Sequence, residues 1–253
     1  MSTVHLEPRD DVAVLRLDKG RGNAIDEALV LDLARAVRAV ADDDSVRGVL
    51  LASANAKLFC PGLDLVGLLE YDRPALESFM GKFAAAVWAL FALPKPVVAA
   101  LGGHAVAGGC VLALTADYRV LRRGAQIGLN EVRVGVPLPW SVALLLQASV
   151  PRGSLARVAL LGNNFKDEAA VDIGLVDELA DAEGFEELCL QRLADFTERD
   201  PAAFGKTKTY LRAGVLADMR QRERDLAPDF LDCWFSAPTQ ERIRSVVQSL
   251  GKG

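Results

Sequence analysis

The first residues of the chain alternate between apolar and polar side chains, with the period of two that is typical of β-strands. This alternation predicts strands over residues 4–7 and 12–17, joined by a polar turn. After Asp26, apolar residues recur every three or four positions, which predicts an amphipathic helix capped by that aspartate. The same reasoning predicts strands over 46–52, 97–101, 118–121 and 126–128, and helices over 74–93, 108–115, 141–150, 154–161 and 167–173.

From Gly184 onward the pattern is helical to the end, with interruptions expected at Pro201, Gly214, Pro228 and Pro238. Strands and helices alternate up to about residue 180, which indicates an α/β body. We therefore predict a core over residues 1–183 and a C-terminal helical region over 184–253.

Composition narrows the class of protein. The 253 residues are 51% hydrophobic and 25% charged, which suits a large buried core. The net charge of −5 argues against a general nucleic-acid binder. The first ten residues lack the pattern of a signal peptide, and prolines, glycines and a histidine at 94–104 interrupt the longest apolar stretch, so no membrane span is expected. Four scattered cysteines lack disulfide or metal spacing and favour the cytoplasm.

Two glycine-containing stretches imitate nucleotide-binding motifs. Residues 20–25 begin like a dinucleotide fingerprint, but Ile25 replaces the third glycine, so a turn is predicted there. Residues 205–207 end like a phosphate-binding loop, but Asp200 stands where the first glycine is needed. The chain has two histidines, which gives little support to a Ser-His-Asp triad or a catalytic metal. No cofactor and no metal are expected.

Two other segments indicate chemistry performed by the backbone. Residues 57–65 read KLFCPGLDL and residues 104–110 read HAVAGGC, each a hydrophobic run broken by glycine where a helix can begin. Such helix starts leave N–H groups unpaired, and two converging N–H groups bind a carbonyl oxygen that becomes an oxyanion. Glu131 lies in a third glycine-flanked apolar segment, 126–137. A surface or ion-paired glutamate is the commoner case, but burial would raise its pKa and suit it to proton transfer.

These segments resemble the enoyl-CoA hydratase/isomerase (crotonase) family. Residues 57–65 and 103–113 are similar to its two oxyanion-hole segments, and residues 115–120, 175–178 and the helical tail also fit. The resemblance implies a crotonase-type spiral of ββα units and a C-terminal helical trimerisation region. It also implies a homotrimer or a dimer of trimers, and an acyl-CoA thioester substrate of which coenzyme A is part.

Carried over by position, the oxyanion donors are the N–H groups of Leu63 and Gly108, and the catalytic residue is Glu131. Hydratases of the family carry a further glutamate three residues after the second donor, and here that position is Val111. The resemblance implies substrate contacts by five residues, namely Ala24, Cys60, Gly62, Val111 and Trp140.

Val111 determines which reaction of the family is predicted. Hydration needs one group to activate water and another to manage a proton, whereas moving a C3–C4 double bond to C2–C3 needs one base and an oxyanion hole. Residues 127–131 and 109–115 resemble the mitochondrial-type Δ3,Δ2-enoyl-CoA isomerases more closely than the hydratases, and the chain is predicted to be such an isomerase. Three alternatives stay open: a hydratase or other enolate-forming enzyme with Asp117 or a water as the second group, a thioester hydrolase, and an acyl-CoA-binding subunit without turnover.

Several neighbouring residues are interpreted as structural. Cys60 and Cys110 are expected to fill buried space rather than act as nucleophiles, and His104 is expected to be structural or to face solvent. Asp64 is expected to cap a helix, and Lys208 to be exposed.

Overall fold

A computed structural model describes residues 2–20 and 22–250 of the chain. Arg21, in the predicted turn at 20–25, lies outside the described residues. The strands within the described residues are β1 Val4–Arg9, β2 Val12–Leu17, β3 Gly48–Ser53, β4 Leu58–Cys60, β5 Val97–Leu101, β6 His104–Val106, β7 Tyr118–Arg122, β8 Gln126–Gly128, β9 Asn164–Lys166 and β10 Glu178–Ala180.

The strands form two sheets. The larger has the order β1-β2-β3-β5-β7-β10 and is parallel except for the β1–β2 hairpin, while the smaller has the order β4-β6-β8-β9. The pairs β3–β4, β5–β6 and β7–β8 each place one strand in the larger sheet and the next in the smaller, and a helix follows each pair. The predicted spiral of ββα units is confirmed. Four strands of three residues each, β4, β6, β9 and β10, were missed, because a period of two is hard to recognise over three residues, although β8 of the same length was predicted.

The helices are α1 Glu27–Asp42, α2 Leu65–Leu68, α3 Arg73–Ala92, α4 Gly108–Leu114, α5 Glu131–Val134, α6 Trp140–Ser149, α7 Glu168–Asp172, α8 Phe185–Thr197, α9 Pro201–Trp234 and α10 Ala237–Leu250. The predicted cap of α1 is confirmed, since Asp26 accepts a hydrogen bond from the N–H of Leu29 at 2.9 Å. The helix predicted over 154–161 is instead a 3₁₀ turn, Arg152–Ser154, followed by a π turn, Ala156–Leu160.

The predicted breaks at Gly214 and Pro228 are wrong, because α9 runs unbroken for 34 residues through both. Phe230, Leu231 and Trp234 are buried in the turns after the proline. Their burial against the rest of the molecule outweighs the local cost of the proline, as tertiary packing commonly does for helices.

Helix α3 is long and apolar enough to cross a membrane by length and composition, a feature that the sequence interpretation did not single out. In the fold it packs against α1 and α9, and eight of its residues are buried. The predicted boundary at 183/184 falls between β10 and α8. Helix α8 packs on β3 and β5, and α9 packs on α3 and α6, so the C-terminal helices are continuous with the core that surrounds the site.

Candidate active site

The two glycine-containing segments meet at Gly62 and Gly108. A Cβ atom on Gly62 would lie 3.2 Å from the nitrogen of Gly108 and 2.8 Å from the Cβ of Ala107. A Cβ on Gly108 would lie 3.3 Å from the Cα of Gly62. The contact at 2.8 Å is closer than Cβ atoms come to one another, and those at 3.2 and 3.3 Å are tight, so glycine at these positions lets the two backbones approach. Leu63 and Gly108 both line one cavity at this approach.

Neither of these N–H groups has an acceptor among the residues that the structure describes. Leu63 lies between two backbone hydrogen bonds, from the N–H of Ile25 to the carbonyl of Gly62 at 2.8 Å and from the N–H of Asp64 to the carbonyl of Ile25 at 2.9 Å. Gly108 is the first residue of α4, where an N–H has no intrahelical partner. Both groups remain available to an oxygen atom bound in the cavity.

Ala107 makes the turn that directs α4. Its φ of 49° and ψ of −122° lie outside the regions that residues with a side chain normally adopt. The N–H of Ala107 donates to the carbonyl of Gly128 at 2.8 Å, which ties the turn to β8. Backbone strain of this kind typically costs about 1–3 kcal/mol and persists where the surroundings hold it. Here the strained turn places the N–H of Gly108 on the cavity.

Gly109 has a packing role. A Cβ on Gly109 would lie 2.0 Å from the carbonyl oxygen of Cys60, so any side chain would separate α4 from β4. The two adjacent glycines therefore serve different purposes. Gly108 allows the two segments to meet, and Gly109 allows the helix to rest on the strand.

Glu131 begins α5 and lines the same cavity as the two N–H groups. Its Oε2 atom is shielded from solvent and has no hydrogen-bond partner among the described residues. Burial raises the pKa of the carboxyl to about 7, because the charged form loses its hydration. A carboxyl group with this pKa exchanges a proton readily near neutral pH.

Val111 lines the cavity with 1% of its surface exposed, three residues after Gly108 on the same helix. An apolar side chain therefore stands where hydratases of the family carry a carboxylate.

Asp117, the other group considered for that role, does not line the cavity. Its carboxylate accepts from the N–H of Val97 and pairs with Lys208 at 2.5 Å and Arg212 at 2.6 Å. The expectation that Lys208 is exposed is wrong, since 5% of its surface is accessible.

The structure brings five of the predicted site residues to the cavity, namely Ala24, Leu63, Gly108, Val111 and Glu131. Gly62, which was predicted to contact the substrate, is not among the residues that line the cavity, and it packs against the backbone of Gly108 instead. Cys60 lies beneath the wall, where its Sγ donates to the carbonyl of Asn23 at 3.2 Å. Burial raises the pKa of the Cys60 thiol to about 12, so it is not an activated nucleophile.

Trp140 does not line this cavity, contrary to the position expected for it. Its ring lies on a neighbouring cavity, with the guanidinium of Arg222 4.6 Å from the ring centroid. The first turn of α6 points this residue toward α9, where its Nε1 donates to the carbonyl of Asp218 at 3.3 Å. A substrate contact by Trp140 stays a prediction.

The cavity lining includes four polar side chains that the sequence interpretation did not assign to it, those of Asp64, His104, Gln126 and Asn130. Asp64 caps a helix as predicted, accepting from the N–H of Gly67 at 3.3 Å. The Nδ1 atom of His104 accepts from the N–H of Gln126 at 3.0 Å, so the proton of a neutral His104 ring is on Nε2. The pairing of β6 with β8 brings His104 and Gln126 together, and no local sequence pattern indicates this pairing.

Four helices contribute apolar residues to the lining of the cavity. These are Met80 and Phe83 from α3, Val142 from α6, Phe230 and Trp234 from α9, and Val246 from α10. The rings of Phe230 and Trp234 are stacked with centroids 5.9 Å apart. The cavity has a volume of about 510 Å³. A lining of this composition suits a ligand with a polar reacting group and an apolar chain.

Comparisons with known proteins agree with this geometry. A family model described as enoyl-CoA hydratase/isomerase matches residues 7–244. The human mitochondrial enoyl-CoA delta isomerase 1 is 28% identical over 219 residues, which cover 85% of this chain and 72% of that protein. Carnitinyl-CoA dehydratase from Proteus mirabilis is also 28% identical, over 211 residues that cover 83% of this chain and 80% of that protein.

A solved structure shows the same fold. The crystal structure of human mitochondrial delta3-delta2-enoyl-CoA isomerase superposes with a TM-score of 0.95 over 99% of this chain and 98% of that chain. The two sequences are 24% identical in this alignment, so the superposition establishes the architecture and not the reaction.

Proposed function

Because this chain belongs to the enoyl-CoA hydratase/isomerase family, we propose that it is a Δ3,Δ2-enoyl-CoA isomerase, which moves the C3–C4 double bond of an acyl-CoA thioester to C2–C3. Two features of the cavity carry the proposal: the Oε2 atom of Glu131 is buried without a hydrogen-bond partner among the described residues, and the residue at position 111 is an apolar valine. Coenzyme A enters as part of the substrate, and the reaction requires no separate cofactor.

The reaction starts when the ionised carboxylate of Glu131 removes a proton from C2 of the 3-enoyl thioester. The electron pair of the broken C–H bond moves toward the thioester carbonyl and forms a dienolate. The N–H groups of Leu63 and Gly108 donate to the enolate oxygen as its negative charge develops. The protonated Glu131 then returns its proton at C4, and the double bond forms between C2 and C3. No proton is gained or lost overall.

The environment of Glu131 supports both halves of this cycle. A carboxyl group with a pKa of about 7 is a stronger base than an exposed glutamate, and its protonated form is still a usable acid. The apolar wall beside it, which includes Val111 and Val134, keeps water from the dienolate. Glu131 alone then carries the proton from C2 to C4. Val111 provides no second carboxylate that could direct water to C3.

A hydratase is the second candidate, since relatives of equal identity include a protein named as a dehydratase. Hydration requires a second group that activates water. Asp64 is the other carboxylate among the described lining residues, and it is engaged by the N–H of Gly67 and lies 3.8 Å from the Nζ of Lys19. His104 also faces the cavity. If the protein is a hydratase, Asp64 or His104 is the second group that activates water.

One assay separates the candidates. The protein is mixed with trans-3-hexenoyl-CoA, and the ultraviolet band of the conjugated 2-enoyl thioester is followed, with crotonyl-CoA as the hydration control. Appearance of the band with little loss of crotonyl-CoA supports the isomerase. Loss of crotonyl-CoA without isomerisation contradicts it and favours the hydratase. Release of free CoA thiol indicates a hydrolase, and tight binding without chemistry indicates a binding subunit.

We also propose that the chain assembles as a homotrimer or as a dimer of trimers in the cytoplasm. Leu160 and Leu161 support an interface near the site, since 74% and 59% of their surfaces are exposed, and 38% of Val132 beside Glu131 is exposed as well. Light scattering coupled to size exclusion measures the assembly, and a monomer at micromolar concentration would contradict it. Fractionation of the source cells tests the compartment.

A further inference from the structure

A second cavity, of about 470 Å³, lies beside the active-site cavity. Met80, Pro139 and Phe230 line both cavities. Along this shared wall, the two spaces are therefore separated by the thickness of single side chains. The wall is made by residues of α3 and α9 and by the residue that precedes α6.

Within this wall, Met80 is the part best able to move. Phe230 is 5% exposed and is held by its stacking on Trp234, and Pro139 has a fixed ring. Met80 is half-buried, and its unbranched side chain has three rotatable bonds, so it adapts to a neighbouring group at low cost. A change of the Met80 rotamer opens a passage without displacement of the backbone.

The second cavity suits an apolar chain. Beyond the shared wall it is lined by Trp88, Leu138, Trp140 and Leu226. Four of its charged lining residues, Glu77, Arg220, Arg224 and Asp229, are exposed, so they form its rim. Glu223 is already engaged, since it accepts from the N–H of Ser141 at 2.8 Å. An acyl tail that enters from the first cavity therefore meets apolar side chains first and reaches the charged rim last.

We infer that the second cavity receives the distal part of a long acyl chain, which passes between Met80 and Phe230. The protein then acts on long-chain acyl-CoA thioesters. This inference rests on the proposed function for its reaction, but not for its binding step. Every methylene buried beyond Met80 adds to the affinity for the substrate. Binding and kcat/KM should therefore keep rising with chain length beyond what the first cavity alone holds.

Gly81 provides the test. It lies next to Met80 on α3 and lines only the second cavity, and a Cβ placed there meets nothing within 4 Å. A phenylalanine at this position fills the second cavity, while an alanine leaves it open. Gly214 gives a matched control, because it is also a helical glycine with nothing within 4 Å of a Cβ and it lines neither cavity.

We measure kcat/KM for 3-hexenoyl-CoA and 3-hexadecenoyl-CoA, and the Kd of saturated hexanoyl-CoA and hexadecanoyl-CoA. The Gly81→Phe variant is expected to reduce the long-to-short ratio of kcat/KM at least tenfold. The Gly81→Ala and Gly214→Phe variants are expected to keep the wild-type ratio. Turnover of the hexenoyl substrate reports that each variant is folded.

An unchanged ratio in Gly81→Phe overturns the inference, as does a wild-type protein that binds hexadecanoyl-CoA no more tightly than hexanoyl-CoA. If the wild type isomerises neither substrate, the proposed function fails. The binding measurements then decide the inference alone, since a tenfold loss of hexadecanoyl-CoA affinity in Gly81→Phe, relative to Gly214→Phe, still supports the path of the tail.

Discussion

The N–H of Ala107 donates to the carbonyl of Gly128 at 2.8 Å, and this hydrogen bond joins the two parts of the site. Ala107 is the strained residue before Gly108, whose N–H is the proposed oxyanion donor, and Gly128 ends the strand that leads to Glu131. The position of the Gly108 N–H relative to the Glu131 carboxyl therefore depends on how closely β8 lies to its neighbouring strands. Four predictions follow from this geometry and from the groups that it places.

Replacing Gly128 with alanine should damage both stability and activity. A Cβ at this position would lie 2.5 Å from the carbonyl oxygen of Asn163 and 2.8 Å from the Cα of Asn164, which are parts of the chain that cannot swing away. We expect Gly128→Ala to lower the free energy of unfolding by about 1–3 kcal/mol. Thermal denaturation measures the loss. Gly153→Ala is the control, because a Cβ at Gly153 meets nothing within 4 Å, and equal stability of the two variants would refute the prediction.

Two substitutions of Leu63 distinguish the role of its backbone N–H from the role of its side chain. Leu63→Pro removes one of the two N–H donors, and loss of one such donor typically costs a factor of about 10²–10³ in kcat. Leu63→Ala keeps the N–H and should retain kcat within a few fold. Steady-state kinetics on 3-hexenoyl-CoA give the comparison, and circular dichroism confirms that the proline variant is folded. A similar loss in both variants would assign the effect to the leucine side chain instead.

Replacing Glu131 with glutamine should remove the chemistry and leave binding intact. The amide has nearly the same shape but cannot accept the C2 proton, so kcat should fall by a factor of about 10²–10⁴. The affinity for a saturated acyl-CoA, measured by titration calorimetry, should change little, since the N–H donors and the apolar wall are unaltered. A Glu131→Gln variant with full turnover would exclude this residue from the mechanism.

The raised pKa of Glu131 gives a pH dependence with a defined sign. The free enzyme needs the ionised carboxylate, so kcat/KM should rise with pH through a midpoint of about 7. The folded state holds this proton more tightly than the unfolded chain, whose glutamates have a pKa near 4.5. Ionisation of Glu131 therefore destabilises the folded protein progressively as the pH rises from about 4.5 to about 7, and fully above that.

The matched comparison is Glu131→Gln, which lacks the ionisation. We expect its stability, relative to the wild type, to increase between pH 4.5 and pH 7 by up to about 3 kcal/mol and then to level off. Denaturant titrations at pH 4.5, 6 and 8 measure this difference. A constant difference across these pH values would mean that Glu131 has an ordinary pKa in the folded protein.

The sequence predicted the parts of the site that depend on local chain geometry. Gly62 and Gly108 mark where each segment must turn, Asp26 and Asp64 cap helices as their positions indicate, and Glu131 lies in an apolar segment. These features are encoded by a few consecutive residues, so they are visible without knowledge of the fold. The resemblance to a known family then related the segments to one another.

The parts that the sequence did not predict depend on contacts between distant residues. His104 and Gln126 are brought together by the pairing of two three-residue strands. Phe230 and Trp234 lie 99 and 103 residues after Glu131, and α9 was expected to break before them. Trp140 was placed by analogy, and the direction of the first turn of α6 determines where its ring lies.

The packing of α10 against α5 has a consequence for the order in which the protein matures during synthesis. Leu63, Gly108 and Glu131 have all been translated by residue 131, but Phe230, Trp234 and Val246 follow 99 or more residues later. A nascent chain on the ribosome therefore contains Glu131 well before the helices α9 and α10 that help to line its cavity. Helix α10 is held at the end of α5, because the hydroxyl of Thr239 donates to the carbonyl of Gly135 at 3.0 Å. Since burial raises the pKa of Glu131, this shift is complete only when the later helices have packed around the cavity.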